Sequence, residues 1–320
     1  MNDSAAGDFG LVVAGHGRHF VVETHAGERL ICHPRGKKSQ AVVGDRVRYQ
    51  SSHDEGTIEA IEPRRNLLYR QDEVRSKSFA ANIDQVLILL AADPVFSETQ
   101  LARALIAAET EGIAPIIGLN KRDLAAPFAS ALLRLAPYSA AGYDVLPLAL
   151  KDPSDDGATQ LRERLQGKAT LVLGPSGTGK STLANRFAPG AAAATRETSK
   201  ALNSGKHTTT STTWYWLDEK RQTALIDSPG FQEFGLQHID RMQLAKLMPD
   251  LASLTENCRF YNCTHMHEPG CGLIAAVQAA QRAEIAKSSA ELAEGSSAAV
   301  LNRYKIYREL FEELNRPAAY

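Results

Sequence analysis

The sequence predicts a multi-domain α/β protein, in which a small N-terminal β-barrel precedes a parallel α/β sheet and a helical C-terminal region. Short alternating runs broken by glycines open the chain, apolar runs separated by helical stretches follow, and closely spaced cysteines precede an Ala-rich end. At 320 residues the chain has room for more than one domain, because single cores stop growing near ~250–300 residues. The expected limits are a tail over 1-8, the barrel over 9-70, the sheet domain over 71-240 and the C-terminal domain over 241-320.

Composition places the chain among globular proteins, since 43% of its residues are apolar and 23% are charged. No apolar run approaches the ~20 residues that span a bilayer, and Met1–Asp8 lacks the basic start and apolar centre of a signal peptide. We therefore expect a cytoplasmic protein that contacts no membrane. A net charge of -1 does not indicate a nucleic-acid binder. The basic clusters at 35–38 and 64–65 are expected either to touch phosphates or simply to be solvated.

The barrel region contains short strand candidates separated by glycines, at 10–14, 19–24, 28–32, 45–49 and 57–61. Several short strands within about sixty residues are typical of an OB-fold. Such barrels usually bind oligonucleotides or oligosaccharides, and a barrel that serves only for packing is the alternative. Cys32 lies in one of these strands and is expected to be a buried apolar residue.

Apolar strand candidates alternate with helical stretches in the second region, and this alternation predicts a doubly wound sheet. The strand candidates are 85–91, 114–119, 144–148, 171–173, 212–217 and 223–226. Helices are predicted over 99–109 and around 158–165. Three of the strands lead directly into the motifs described next.

Residues Gly174–Thr182 read GPSGTGKST and fit the phosphate-loop pattern G-x-x-x-x-G-K-[ST]. A strand over 169–173 precedes them and a helix over 181–187 follows. Loop amides would face phosphate oxygens, Lys180 would reach the β- and γ-phosphates, and Ser181 would bind Mg²⁺. A Gly/Ser-rich turn between a strand and a helix is the alternative. Nucleotide contacts are expected at Gly174, Pro175, Ser176, Gly177, Thr178, Gly179, Lys180, Ser181 and Thr182.

The residues Asn120, Lys121, Arg122 and Asp123 follow a strand and fit N-K-x-D, a motif that selects guanine. The Asp123 carboxylate would accept hydrogen bonds from the ring N1–H and the exocyclic amine, which adenine does not offer in that arrangement. Asn120 would contact the base edge and the loop, while the Lys121 stem would cover the ring face. A surface turn is the alternative for four residues alone. Together with the phosphate loop they predict a GTP site.

Residues Asp227–Gly230 end a strand and fit D-x-x-G. Asp227 is expected to hold Mg²⁺ through water, and the Gly230 amide to contact the γ-phosphate. The loop 205–210 is rich in threonine, and one of these threonines is expected to complete the Mg²⁺ ligands. N-K-x-D comes before the phosphate loop here and D-x-x-G comes last, so the motif order indicates a circular permutation. The D-x-x-G segment then leads directly into the C-terminal region.

Cysteines crowd one stretch of the C-terminal region, where Cys258, Cys263, His265 and Cys271 are expected to form a closed Cys₃His site for structural zinc. His267 is a competing ligand or a neighbour. Helices are predicted over 237–247, over the Ala-rich stretch 274–293 and over 301–311.

The motif order and the zinc spacing together resemble one family, the circularly permuted RsgA GTPases of bacteria, which depend on the small ribosomal subunit. The resemblance covers nearly the whole chain. It rests on VGDRV at 43–47, PRRN at 63–66, NKRD at 120–123, the phosphate loop at 174–182, GKHTTT at 205–210, DSPG at 227–230 and C-x4-C-x-H-x5-C at 258–271.

The resemblance implies a GTPase whose slow hydrolysis is stimulated by the small (30S) subunit. It further implies action late in maturation of that subunit, near its decoding centre, and release upon hydrolysis. The implied partners are GTP and GDP, the 30S subunit and its 16S rRNA, and a monomer is expected. By the same resemblance Thr209 is the first-switch Mg²⁺ ligand and His207 helps to position the attacking water, so Lys180, His207 and Thr209 form the expected catalytic set.

This chain departs from related patterns at several points. Phe231 stands where Ras-like proteins have a water-orienting glutamine, so low intrinsic turnover is expected. The usual base-contacting segment is degenerate, and Ala149–Lys151 is its candidate. Gly177 replaces the asparagine of some potassium-dependent GTPases, which leaves any monovalent-ion requirement open. The Ala-rich stretch after Cys271 is longer than the family pattern leads one to expect.

Two other kinds of function remain open from the residues alone. One is a constitutive RNA-binding scaffold whose nucleotide site is only structural. The other is a GTP-dependent enzyme of small-molecule metabolism, against which the absence of a further catalytic cluster in the sequence argues.

Overall fold

The structure, a computed structural model, describes residues 8–17, 19–36, 41–52, 55–72, 76–188, 212–229, 234–286 and 296–316. The first strands along the chain are β1 (Asp8–His16), β2 (His19–Thr24), β3 (Arg29–Pro34), β4 (Arg46–Ser52) and β5 (Glu55–Ile61). They match the predicted strands closely, because short β-branched runs between glycines leave few other local conformations.

These strands close into the predicted OB-fold barrel. Strand order is β1-β2-β3-β5-β4, and β4 pairs back onto β1. The pairing of β3 with β5 is parallel, and every other pairing around the barrel is antiparallel. The Cys32 side chain is fully buried, and a Cβ on Gly56 would lie 2.7 Å from its sulfur. The interior is filled by Val12, Phe20, Val22, Cys32, Ala41, Val47, Tyr49 and Ile58.

A hairpin that the sequence did not predict connects the barrel to the central domain. It consists of β6 (Leu67–Gln71) and β7 (Ser76–Ala81), and the expected domain limit at residue 70 falls inside β6. Its strands are short and carry few β-branched residues, which explains why the pattern was missed. The end of the hairpin contacts the barrel, since the Ala81 amide donates to the Val43 carbonyl at 2.9 Å.

The two arginines of the basic cluster at 64–65 are engaged in ion pairs. Arg64 donates through Nε at 2.7 Å and through a terminal nitrogen at 2.8 Å to the carboxylate of Asp45, which is fully buried. Arg65 lies 2.7 Å from the carboxylate of Asp84. In this arrangement both guanidinium groups connect parts of the protein to each other, while the Arg65 side chain remains 59% exposed.

The central domain contains β8 (Gln85–Ala91), β9 (Ala114–Asn120), β10 (Asp144–Pro147), β11 (Ala169–Leu173), β12 (Thr213–Trp216) and β13 (Ala224–Asp227). Strand order is β10-β9-β8-β11-β13-β12. In that order the first five strands are parallel, and the sixth, β12, is antiparallel to β13. Because β12 also pairs with β1, through Ala14 and Thr213, the barrel and the central domain share one continuous sheet.

Helices cover both faces of this sheet: α1 (Glu98–Thr110), α2 (Ala125–Ala140), α3 (Asp156–Leu165) and α4 (Lys180–Phe187). Alternate residues of β8 point to opposite faces, so that Ile88 packs in the same cluster as α1 and α2, whereas Leu89 packs with α3 and α4. The sequence did not predict α2, whose pattern is interrupted by a proline at 137.

The predicted helix over 237–247 is wrong. Leu236 instead bridges to Gln71 of β6, and Asp240 caps a short 3₁₀ turn over Arg241–Gln243. A proline at the first position of a helix is favourable, while the residue before it is kept out of the helical conformation. Pro249 therefore starts the next helix, α5 (Pro249–Thr255).

Two longer helices complete the C-terminal region, α6 (Gly272–Ala286) and α7 (Ser296–Leu314). Residues 287–293 of the predicted Ala-rich helix lie outside the described residues. The buried Arg303 of α7 joins two helices, donating through Nε to Asp250 of α5 at 2.6 Å and through a terminal nitrogen to the Tyr138 hydroxyl of α2 at 3.1 Å. Among the described helices, none is both long and apolar enough to cross a bilayer.

Candidate functional site

The loops that carry the nucleotide motifs meet at one edge of the sheet. Strands β9, β11 and β13 run parallel, so their carboxyl ends lie along the same edge. Asn120 ends β9, the phosphate loop follows β11, and Asp227 ends β13, where it is paired with Val172. Ligands of open α/β sheets bind beyond this edge. The fold therefore brings together motifs that are up to about a hundred residues apart in the sequence.

Glycines shape the phosphate loop. A Cβ on Gly174 would lie 2.4 Å from the Leu89 carbonyl oxygen, so only glycine fits against the neighbouring strand. Gly179 has φ +106°, in the left-handed region, and immediately precedes the first residue of α4. The Thr178 hydroxyl donates to the Pro175 carbonyl at 3.0 Å and closes the turn. This geometry leaves the N-terminus of α4 facing the loop, where phosphate oxygens are favoured.

Lys180 lies across the phosphate loop. Its ammonium group donates to the carbonyl oxygens of Gly174 at 2.7 Å and Pro175 at 2.8 Å. Burial lowers the pKa of Lys180, while the nearby Asp227 carboxylate raises it. Ser181 and Thr182 occupy the first turn of the same helix, and Ser181 is exposed. A cation held at a helix N-terminus beside an exposed hydroxyl is the arrangement that phosphate and Mg²⁺ binding require.

Asn120 connects the guanine motif to the phosphate loop. Its amide nitrogen donates to the Thr178 carbonyl at 2.9 Å, and its amide oxygen accepts from the Leu150 backbone N–H at 3.0 Å. One side chain thus joins the end of β9, the phosphate loop and the segment after β10. The segment 149–151, predicted as the base-contacting candidate, begins beside that side chain.

The remaining residues of the guanine motif lie on the surface of the same edge. Asp123 is exposed and free to accept hydrogen bonds from a base. Lys121 adopts a left-handed φ of +70° and donates through its ammonium group to the Asp93 carbonyl. Arg122 pairs with Asp156 at 2.9 Å, so its side chain is directed toward the start of α3.

Asp227 is the buried carboxylate of the site. Burial raises its pKa, and the Lys180 ammonium opposes this shift. The neighbouring Ser228 hydroxyl donates to the Val172 carbonyl at 2.8 Å and anchors the strand end. A buried carboxylate beside the first turn of α4 fits a divalent cation, for which Asp227 and Ser181 would supply oxygens. Three other predicted residues, Gly230, His207 and Thr209, lie outside the described residues, as does Phe231.

The predicted zinc ligands come together in space. The ligand atoms of Cys258, Cys263, His265 and Cys271 all lie within 4.8 Å of one another. Two sulfur atoms, of Cys258 and Cys271, are 3.8 Å apart, and they lie 3.4 Å and 3.5 Å from the His265 Nδ1 atom. A tetrahedral site with Zn–S bonds near 2.3 Å and Zn–N bonds near 2.0 Å places sulfurs about 3.8 Å apart and sulfur from nitrogen about 3.5 Å. The four side chains therefore fit one zinc ion.

Burial raises the pKa of Cys263 to about 12, with further increases from the neighbouring Cys271 and Cys258. A thiol in this environment stays protonated unless a positive charge offsets its ionisation, which a zinc ion would do. His267 is exposed and lies outside the cluster, so its position is that of a neighbour.

Residues that the sequence did not single out hold in place the loop over 258–271, which carries the predicted zinc ligands and is called the zinc loop below. The Glu268 carboxylate accepts hydrogen bonds from the backbone N–H groups of Thr264 at 2.8 Å and Met266 at 3.1 Å. Burial raises the pKa of Glu268, but hydrogen bonds from the Thr264 hydroxyl and from the backbone N–H groups of Thr264, Glu268 and His267 outweigh it and lower the pKa to about 2. Tyr304 of α7 donates to the His265 carbonyl at 2.8 Å. In the sequence, the position of Glu268 between the predicted ligands His265 and Cys271 was the one feature that could have indicated this role.

The fold and the site together define a circularly permuted P-loop GTPase. Its guanine motif precedes the phosphate loop, its D-x-x-G aspartate follows, and all three lie at the carboxyl edge of one parallel sheet. The sequence profile of the RsgA GTPase family matches residues 61–237, which include all of these motifs. The chain belongs to the RsgA GTPase family.

Individual relatives agree with this assignment along most of the chain. A small ribosomal subunit biogenesis GTPase RsgA of Variovorax paradoxus is 65% identical over 307 residues, covering 96% of this chain and 92% of the relative. Its counterpart in Burkholderia pseudomallei strain 1710b is 56% identical over 270 residues, covering 84% of this chain and 85% of the relative.

Solved structures resemble the whole fold. The crystal structure of YloQ, described as a circularly permuted GTPase, superposes with a TM-score of 0.67 at 25% identity, covering 100% of this chain and 99% of that one. YjeQ from Thermotoga maritima gives a TM-score of 0.66 at 28% identity, covering 97% of this chain and 99% of that one.

Proposed function

We propose that this protein is a GTP hydrolase that acts in biogenesis of the small ribosomal subunit. The relatives that cover most of the chain carry this function in their names. GTP binding is supported above all by one contact: the Asn120 side chain joins the guanine motif to the phosphate loop by a hydrogen bond of 2.9 Å to the Thr178 carbonyl. Base recognition and phosphate binding are thereby parts of one site.

Guanine selection is assigned to Asp123. Its exposed carboxylate would accept hydrogen bonds from the N1–H and the exocyclic amine of the base, while the Lys121 stem covers the ring. An adenine in the same place would leave the carboxylate without donors. Such a mismatch discriminates between ligands by a factor on the order of 10⁴.

Hydrolysis would proceed by in-line attack of water on the γ-phosphate. Lys180 and the loop amides stabilise the charge that develops on the phosphate oxygens. Ser181, Thr209 and Asp227 would hold Mg²⁺, which when bound neutralises charge on the β- and γ-phosphates. His207 is proposed to orient the water, and the Gly230 amide to detect the γ-phosphate.

Low turnover by the isolated protein is part of the proposal. Phe231 follows the D-x-x-G motif and has no hydrogen-bonding group with which to orient water. The 30S subunit is therefore proposed to complete the site, and GTP hydrolysis to release the protein from that subunit. The OB-fold barrel and the zinc-binding region would contact 16S rRNA from either side of the nucleotide domain, and the protein would act as a cytoplasmic monomer.

The test is GTP turnover by the purified protein, alone and with purified small or large ribosomal subunits. We expect a large increase with small subunits only. An equal rate in all three mixtures would contradict the ribosomal part of the proposal, and turnover that depends on a small metabolite would favour a metabolic enzyme instead.

Base selection is tested by Asp123→Asn. The amide would donate where the carboxylate accepted, so we expect GDP affinity to fall by about 100-fold or more and xanthosine diphosphate to bind better. Fluorescent nucleotide titration measures both. Asp156→Asn is the matched control, because it removes the same charge from the nearby partner of Arg122 and should leave the preference for guanine unchanged. Unaltered GDP affinity in Asp123→Asn would remove this residue from the site.

A further inference from the structure

Arg186 makes an unusual set of contacts with the segment that follows β10. It lies near the end of α4, the helix that begins at Lys180. One terminal nitrogen of its guanidinium donates to the carbonyl oxygens of Leu150 at 3.1 Å and Asp152 at 2.6 Å, and the other donates to that of Pro153 at 3.1 Å. One side chain thus holds successive backbone carbonyls of a loop more than thirty residues away.

The amide side of the same segment is held as well. The Leu150 N–H donates to the Asn120 side chain at 3.0 Å, and the Ala149 N–H donates to Asp155 at 2.8 Å. Leu150 is therefore held through its N–H by Asn120 of the guanine motif and through its carbonyl by Arg186 of the phosphate-loop helix.

We infer that Arg186 is a positioning residue for base recognition. It fixes the base-contacting segment 149–151 onto the phosphate-loop helix, so that the base and the phosphates are bound by one rigid unit. This inference rests on the proposed function, in which guanine binds at the motif that begins with Asn120, and it takes the candidate segment 149–151 as part of that guanine site. The sequence alone offered no signal for it, since a basic residue near the end of a short helix is ordinary.

The guanidinium group suits this task better than other side chains. It presents up to five N–H donors in a planar fork, whereas a lysine ammonium acts as a compact point donor. Residues 151–154 are exposed, so little packing holds them without these hydrogen bonds. Loss of the fork would leave the Asn120 and Asp155 contacts to the N–H groups of Leu150 and Ala149, but nothing from α4 would hold the carbonyls of Leu150, Asp152 and Pro153. A bound base would then have to order the exposed part of the segment itself.

The test is Arg186→Met, which keeps the length of the side chain and removes all of its donors. We expect GDP to dissociate about tenfold faster or more, as for loss of charged hydrogen bonds. Weak binding of ADP, which depends on the phosphate loop, should be unchanged, so that selectivity for GDP over ADP falls. Stopped-flow release of fluorescent GDP and equilibrium binding of both nucleotides measure this. The rate of GDP release from Arg186→Lys should lie between those of the parent protein and Arg186→Met, because lysine keeps the charge but not the planar set of donors.

Arg162→Met is the matched control. Its guanidinium, on α3, lies 4.9 Å from the centre of the ring of Phe187, the residue next to Arg186 in the chain, so the change removes the same charge from that neighbourhood. GDP release and selectivity should stay at the parent values. Thermal unfolding of each variant shows whether it is folded. If Arg186→Met is unfolded, GDP release and selectivity are measured with Arg186→Lys instead.

Unchanged GDP release and selectivity in a folded Arg186 variant would overturn the inference. An equal loss of GDP and ADP affinity would overturn it too, since that result would locate the defect in the phosphate loop. A parent protein that does not prefer GDP to ADP would instead refute the proposed function, so the two failures are distinguishable.

Discussion

The barrel and the C-terminal region are attached to the nucleotide domain in different ways. The barrel interior is an apolar core of its own, which includes Val12, Cys32 and Ile58, although other barrel residues such as Val13 and Val21 belong to the cluster of the nucleotide domain. The C-terminal region shares its core with the nucleotide domain: Leu273 and Tyr307 belong to the same cluster as the buried residues of α1 and α2. The difference indicates that damage to the barrel core should stay local, whereas damage to the C-terminal core should reach the nucleotide domain.

The barrel and the C-terminal region also make different polar contacts where each meets the nucleotide domain, at what we call the barrel junction and the C-terminal junction. At the barrel, Glu23 accepts a hydrogen bond from the Trp216 indole at 2.7 Å and pairs with Arg29 at 3.0 Å. At the C-terminal junction, Arg103 of α1 pairs with Glu313 of α7 and also donates to the Phe234 carbonyl at 3.2 Å. The barrel junction therefore contacts β12, while the C-terminal junction contacts Phe234, which follows the D-x-x-G motif in the sequence.

The largest effect is expected from loss of the zinc site. Cys263→Ser should remove stoichiometric zinc and unfold the C-terminal region, because structural zinc contributes an apparent ~10–16 kcal/mol in small zinc domains. Metal analysis and thermal unfolding measure this. His267→Gln, at an exposed neighbour, should keep a full complement of zinc. A full complement in Cys263→Ser would contradict the ligand set.

A pair of core truncations tests the shared core directly. Leu273→Ala and Ile58→Ala should each cost about 2–5 kcal/mol, since both side chains are buried. Hydrogen exchange should quicken in β8 and β11 only for Leu273→Ala, and in the barrel only for Ile58→Ala. If Ile58→Ala accelerates exchange in β11 to the same extent, the barrel core is not independent.

The smallest effect is expected at the barrel junction. Glu23→Gln keeps an acceptor for Trp216 but removes the charge that pairs with Arg29 and with Arg221, 3.6 Å away. A cost of about 1 kcal/mol is expected, because both arginines are partly exposed. Thermal unfolding compared with Glu28→Gln, an exposed control, measures it. A loss as large as that of Leu273→Ala would show that the two junctions are equally strong.

Much of the fold and site could be predicted because the signals are local. The phosphate loop, the N-K-x-D motif and the cysteine spacing each lie within a few consecutive residues, and the strands before them are short apolar runs. Predictions of secondary structure failed where contacts with distant residues, or prolines within the segment, determine the local conformation. The stretch 237–247 begins with a hydrogen bond from the Gln237 N–H to Gln71 of β6 and contains a short 3₁₀ turn in place of an α-helix, while α2 was hidden by its proline at 137.

By itself the sequence determined the barrel, the nucleotide-binding sheet, the permuted order of its motifs and the members of the Cys₃His cluster, because residue type and spacing carry that information. Only the tertiary structure decided how these parts cooperate. The contacts of Asn120 with the phosphate loop, of Arg186 with residues 150–153 and of Tyr304 with the zinc loop join residues at least thirty positions apart. Such contacts depend on which strand ends and helix faces the packing brings together, and no local pattern encodes them.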